Sequence, residues 1–183
     1  DLTGTVDELE DFYGSLGEIY KDNVDIIMCE SMSSIFEGSN ASRVAKEFSE
    51  RVWLSWTNRG HQPDQLPSTE ALSKAVDFSI EADVECTLIN CSHADMASNS
   101  IKELKRASRF GIFANSSTFK EVDLSIATKD VDAIHHLNSE KISAKEYAMI
   151  ALSWAKEGAY VVGGCCGTTV EHTREIKLLM DSL

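Results

Sequence analysis

Residues 161–169 read VVGGCCGTT, two thiols side by side after an apolar pair and among glycines. Adjacent cysteines rarely bond to each other, because a disulfide needs more separation than neighbours easily give. Neighbours in a strand point to opposite faces. Cys165 and Cys166 therefore converge on one point only where the strand has ended and the chain turns. Gly163, Gly164 and Gly167 permit such a turn, since glycine tolerates backbone angles other residues avoid. On these residues alone two readings stay open: reduced structural thiols, or a soft-metal site in which both thiolates meet one ion.

Other reactive side chains fall where apolar runs end. VDIIMCE (24–30) ends on Glu30, CTLINC (86–91) on Asn90 and Cys91, and FGIFANS (110–116) on Asn115 and Ser116. In folds made of parallel strands and helices, chemistry collects at the C-terminal strand ends. Cys91, Cys165 and Cys166 would then point into one mouth from two strand ends. Three protein ligands with one open position are what a catalytic zinc requires, and thiolates suit zinc over magnesium or calcium. Taken singly, each cysteine fits a core role as well as a ligand role. Cys29 and Cys86 lie inside apolar runs and are assigned to the core. His93, two residues after Cys91, is the one serious rival ligand. The pair His135–His136 sits in an irregular polar stretch and reads as solvent-exposed; His61 and His172 are weaker candidates still.

The elements that would position these residues alternate along the chain. Residues 5–20 carry Leu9, Phe12, Tyr13, Leu16, Ile19 and Tyr20 at helical spacing. A strand follows over 24–30, a helix near 38–50 and a strand over 52–57. The loop 60–68 holds both prolines. A helix over 69–82 begins at Ser68 or Thr69. Then come a strand over 86–91, a helix over 94–108, a strand over 110–116 and a polar stretch, 117–141, without a clean period. Residues 143–159 form a strong helix, with Ser143 and Glu146 three residues on in the capping-box pattern, ending at Gly158. A last strand covers 160–164 and a closing helix 169–183. Five strands separated by helices predict a parallel sheet with helices outside. An open doubly wound sheet and part of an eight-stranded barrel both fit this order. No glycine-rich phosphate loop follows an early strand, which disfavours a nucleotide-binding fold.

Composition narrows the partners. The chain has 183 residues, 43% hydrophobic and 26% charged, which suits one globular domain. Its net charge of −13 argues against nucleic acid or an anionic membrane surface as partner. No apolar run approaches the roughly 20 residues of a membrane span. Five cysteines, an odd number without the spacing of a small secreted framework, predict a reducing compartment, the cytoplasm. The first residue is Asp1, so a processed product or a piece of a longer protein is expected.

These motifs resemble one family closely. VVGGCCGTTVEH is similar to the GGCCGT-x-P-x-H signature of the zinc-dependent homocysteine S-methyltransferases. LINCS resembles their V-N-C-T strand end, VDIIMCESM their D-x-x-x-x-E-T strand, and FANSS their Y-P-N-S-G segment. LSWTNRG followed by LPSTEALSKAV is similar to the segment between the Glu and Asn-Cys motifs. All stand in the family's order and span essentially the whole chain. Val170 stands at the usual Pro, Ala114 and Ser117 replace Pro and Gly, and Ser31 and Ser92 stand for Thr; none of these removes a ligand.

The resemblance implies a (β/α)8 TIM barrel, with only about the last five strand–helix units present in residues 1–183 as a partial homocysteine-binding domain. The family's N-terminal part, with its Asp-Gly-Gly motif, has no counterpart here, and activity of these units alone is in question. Cys91, Cys165 and Cys166 would bind zinc (Zn2+), with homocysteine sulfur as fourth ligand. Glu30 would bind the substrate's α-ammonium, and Asn115 would contact substrate or hold a loop. The implied reaction is methyl transfer from an onium-type donor, such as S-methylmethionine or S-adenosylmethionine, to homocysteine, giving methionine, with no protein side chain as general base. A non-catalytic zinc-binding, thiol-rich module is the alternative from another class, as is a degenerate paralogue that needs the missing half.

Overall fold

The computed structural model describes residues 4–119 and 139–182. In chain order the elements are α1 (Val6–Tyr20), β1 (Ile27–Met32), α2 (Ile35–Phe48), β2 (Val52–Trp56), α3 (Leu72–Glu81), β3 (Cys86–His93), α4 (Ala94–Asn99), α5 (Ile101–Leu104), β4 (Phe110–Asn115), β5 (Ser117–Phe119), β6 (Ser139–Lys141), α6 (Ala144–Lys156), β7 (Val161–Gly164) and α7 (Val170–Met180). Five strands form a parallel sheet in the order β1-β2-β3-β4-β7, while β5 and β6 pair as a separate antiparallel ribbon. Each strand of the main sheet lies beside its predecessor. The order has no reversal of the kind a doubly wound sheet requires.

Local chemistry sets several boundaries. Thr5 and Glu8 close a capping box on α1: the Glu8 amide donates to Thr5 Oγ1 at 3.3 Å and the Thr5 amide to Glu8 Oε2 at 2.7 Å. Ser143 and Glu146 do the same for α6, at 3.3 and 2.9 Å, and Gly158 stops that helix with φ +98°. Two helix starts differ from the sequence expectation. α2 begins at Ile35 because Ser34 caps it, its Oγ accepting from the Glu37 amide at 3.1 Å. α3 begins at Leu72 without a side-chain cap, because Glu70 turns away and its carboxylate accepts from the Ile35 amide at 2.9 Å. The helix expected over 94–108 is two short pieces parted at Ser100. The Ser100 hydroxyl bonds the carbonyls of Pro63 and Met96, at 2.9 and 3.0 Å, which ties the break to the proline loop.

The sheet has two unlike faces. On one, Leu54, Trp56, Ile89, Ile112 and Ala114 join Val76, Tyr147 and Trp154 of the helices in a single buried cluster. Cys29 joins it too, and Cys86 is buried within the sheet, as expected for core thiols. The other face carries Trp53, Leu88, Phe113 and Val161. Gly111 lies among them, and a Cβ there would stand 2.5 Å from Val161 Cγ1 and 2.9 Å from Leu88 Cδ2. At about 4.8 Å per strand, β2 and β7 would lie about 14 Å apart in a flat sheet. Yet the rings of Trp53 and Tyr160, just before β7, meet edge to face at 6.4 Å. The sheet is therefore curled, with this face concave. At its lower end Glu85 accepts from Arg51 Nε at 2.8 Å, Arg109 at 3.0 Å and Trp53 Nε1 at 3.3 Å.

Candidate metal centre

The upper ends of β3 and β7 carry the thiols, and each is placed by a break in regular structure. β3 runs on to His93, two residues past the end expected at Cys91, but its pairing with β4 shifts between Asn90 and His93. Cys91 sits in that bulge with φ +53°. A left-handed conformation costs a residue with a Cβ about 1–2 kcal/mol, so the surroundings must hold it. The Asn58 amide donates to Ser92 Oγ at 2.9 Å, Ser92 Oγ donates to the Asn90 carbonyl at 3.0 Å, and Thr57 Oγ1 donates to the Cys91 carbonyl at 3.4 Å. Bulges commonly re-aim a side chain in this way.

Cys165 and Cys166 open the turn after β7, as their glycine neighbours suggested. The turn is sewn to the end of β4. The Cys165 amide donates to the Ala114 carbonyl at 2.8 Å, and the Ser116 amide to the Cys166 carbonyl at 3.0 Å. The Cys166 amide donates to Asn115 Oδ1 at 3.0 Å. Thr168 Oγ1 closes the turn on the Cys165 carbonyl at 2.7 Å. Gly167 has φ +78°, and at Gly164 a Cβ would stand 2.7 Å from Thr168 Cβ.

The result is a compact sulfur triangle. Cys91 Sγ lies 3.2 Å from Cys165 Sγ and 3.6 Å from Cys166 Sγ, and all three ligand atoms fall within 4.8 Å of one another. A tetrahedral zinc with Zn–S bonds of about 2.3 Å holds its sulfurs about 3.8 Å apart. Small side-chain shifts reach that spacing, so the donor set fits a thiophilic cation. The electrostatics fit as well. The hydrogen bond shared with Cys91 holds the Cys165 thiol below its ordinary value. The same bond, with burial, pushes Cys91 strongly up. The first proton leaves this trio easily and later ones with difficulty, because thiolates crowded together repel. A cation removes that repulsion.

Among the described residues, no histidine or carboxylate joins the triangle. His93, the rival ligand, is turned elsewhere: its Nδ1 bonds Ser117 Oγ at 2.9 Å and its ring packs on Phe119. His61 stacks on the same Phe119 at 5.1 Å. His172 Nδ1 accepts from the Thr169 amide at 3.1 Å and so caps α7. His135 and His136 lie outside the described residues. Asn115 borders the triangle through its bond to Cys166. Glu30 lies within β1, exposed, one residue before a second bulge at Ser31, and forms no ion pair among the described residues.

Several residues around the site were not visible as such in the sequence. Tyr147, within the helix expected over 143–159, sends its hydroxyl to the carbonyls of Ala114 and Gly163, at 2.7 and 2.8 Å, and so braces β4 against β7. Ser31, Ser55 and Asn90 bond one another across three strands. The only signal was a polar residue inside an apolar strand.

Known proteins share this sequence pattern and fold. Over 181 residues the chain is 25% identical to the homocysteine S-methyltransferase YbgG of Bacillus subtilis, covering 97% of this chain and 54% of that protein. Solved structures of the homocysteine methyltransferase MmuM from Escherichia coli share its fold. The metallated form superposes with a TM-score of 0.72 at 19% identity, covering 98% of this chain and 54% of the other. The apo form gives 0.70 at 17% identity, covering 97% and 59%. The chain thus spans about half the length of the relatives it matches. The homocysteine S-methyltransferase family itself matches residues 1–180. With a match that runs through nearly the whole chain, the protein belongs to the homocysteine S-methyltransferase family.

Proposed function

We propose that residues 1–183 are the C-terminal part of an eight-stranded (β/α) barrel and that Cys91, Cys165 and Cys166 bind zinc in it. The reaction served is methyl transfer from an onium-type donor, such as S-methylmethionine or S-adenosylmethionine, to homocysteine, giving methionine. The observation that carries this reading is the sulfur triangle itself, drawn from two strands and closed to within 4.8 Å. When bound, zinc supplies a cation that keeps the substrate sulfur a thiolate at neutral pH.

The chain's own residues then have distinct tasks. The thiolates of Cys91, Cys165 and Cys166 would hold the cation. Glu30, exposed on β1, offers a carboxylate to the α-ammonium of homocysteine. Asn115 spends its Oδ1 on the Cys166 amide and has its NH2 group to offer a substrate oxygen. No side chain is assigned as general acid or base. The curled sheet, its unreversed strand order and its apolar concave face support the barrel, because further strands would close over that face. Five free cysteines suit a reducing compartment such as the cytoplasm.

Metal analysis and X-ray absorption test the reading. We expect one zinc per chain, lost in Cys166→Ala. Adding homocysteine should change the zinc shell from three sulfurs and a light atom to four sulfurs. A folded protein without zinc removes the proposal. Zinc that ignores homocysteine leaves a thiol-rich metal module without the catalytic role.

A further inference from the structure

Asn90 lies at the point where the two halves of the proposed site meet, and it is 1% exposed. Its Oδ1 accepts from the Ser31 amide at 2.9 Å and from Ser55 Oγ at 2.6 Å. Its Nδ2 donates to Ser31 Oγ at 2.8 Å. The orientation of the amide is set by chemistry, because a backbone N–H must face an acceptor. One side chain thus ties β3 to β1 and β2. What it ties is unusual backbone: Ser31 has φ +59°, and Cys91, the residue after Asn90, has φ +53°. Both strands slip register at these places, β1 between Cys29 and Met32, β3 between Asn90 and His93. Glu30 immediately precedes the first left-handed residue, and Cys91 is the second.

We propose that Asn90 is a positioning residue that holds the β1 bulge and so sets the distance and aim of Glu30 relative to the metal triangle. The inference rests on the proposed binding of homocysteine by that triangle and Glu30. Ser31 has a Cβ and resists a left-handed backbone; two of the three bonds of Asn90 go to this one residue. Without them the left-handed backbone at Ser31 relaxes, β1 loses its slip in register against β2, and the Glu30 carboxylate shifts relative to the triangle. The ammonium of homocysteine then loses its partner while the sulfurs, held by Ser92, Asn115 and Thr168, remain in place. Asn90 therefore acts on amino-acid recognition more than on metal binding.

The test is homocysteine titration of the Co(II)-loaded protein, read in the thiolate-to-metal absorption band, with metal stoichiometry measured alongside. For Asn90→Ala we expect unchanged cobalt per chain and homocysteine binding weakened about tenfold or more, the loss of one charge-assisted contact. A thiol without the amino group, such as 3-mercaptopropionate, should bind parent and variant alike. Adding Ser31→Gly should restore much of the lost affinity, because glycine takes the left-handed conformation unaided; a mere packing defect at Asn90 would not be repaired this way. Should Asn90→Ala fail to fold, Ser31→Ala and Ser55→Ala each delete one bond, and each should weaken homocysteine a few-fold at full metal load. The inference is overturned if these variants bind homocysteine as the parent does, or if metal and homocysteine are lost together. A parent protein that loads metal but gives no spectral change with homocysteine overturns the functional reading instead.

Discussion

Cys165 and Cys29 are the same side chain in opposite settings. Burial without a hydrogen-bonding partner pushes the Cys29 thiol up to about 12, and burial does the same at Cys86. At pH 8 about one Cys29 in ten thousand is a thiolate, and the thiolate is the nucleophile. The hydrogen bond with Cys91 holds the Cys165 thiol well below its ordinary value, so Cys165 ionises far more readily than Cys29. Iodoacetamide should therefore modify Cys165 well before Cys29 and Cys86 in the metal-free protein, and a bound thiophilic metal should suppress the labelling. Cys29 and Cys86 should react only on unfolding. Peptide mass spectrometry over a time course reads this directly; equal rates at Cys29 and Cys165 in folded protein would contradict the burial and the hydrogen bonding described above. Asn115 shows the limit of residue-level reading. Its place beside the thiols follows from its strand end, but the Cys166 amide as its partner depends on two segments about fifty residues apart in the chain.

At the scale of elements, the helices with reciprocal caps could be read locally, because Thr5 with Glu8 and Ser143 with Glu146 are close in sequence. The start of α3 and the break at Ser100 could not. There the deciding partners are Ile35 for Glu70 and Pro63 for Ser100, distant in the chain. The turn after β7 belongs to the first kind in its glycines and to the second in its anchors. Gly164→Ala should expose that difference. The added Cβ would meet Thr168 Cβ at 2.7 Å, inside any real contact. Relief requires Thr168 to move and to release the Cys165 carbonyl. We expect a drop in metal affinity of at least about tenfold, measured by competition with a chromogenic chelator. The fold should persist by circular dichroism. Unchanged affinity would mean that the turn tolerates displacement and is not what aims the thiols.

At the scale of the molecule, the sheet has a protected middle, and among the described residues β1 and β7 are its edge strands, each paired on one side. β3 is buried along almost its full length, while β7 is only half-buried and β1 mixed. Hydrogen exchange follows such differences, since edge strands open more easily than central ones. Peptides within 86–90 should exchange last in this chain, and those of 161–164 and 27–32 much earlier. Equal protection at both edges would show them covered by another segment or another copy.

The sequence by itself determined the class of fold, the parallel alternation of strands and helices, the core thiols and which three cysteines lie at or just past strand ends. These follow from periodicity, glycine placement and motif order, all properties of neighbouring residues. Tertiary structure alone decided that the sulfurs meet, that His93 turns away to Ser117, and that Asn90 spans three strands. Each of these depends on backbone bulges and on hydrogen bonds between segments far apart in the chain. A local pattern records which groups are present, while the folded sheet sets where they point.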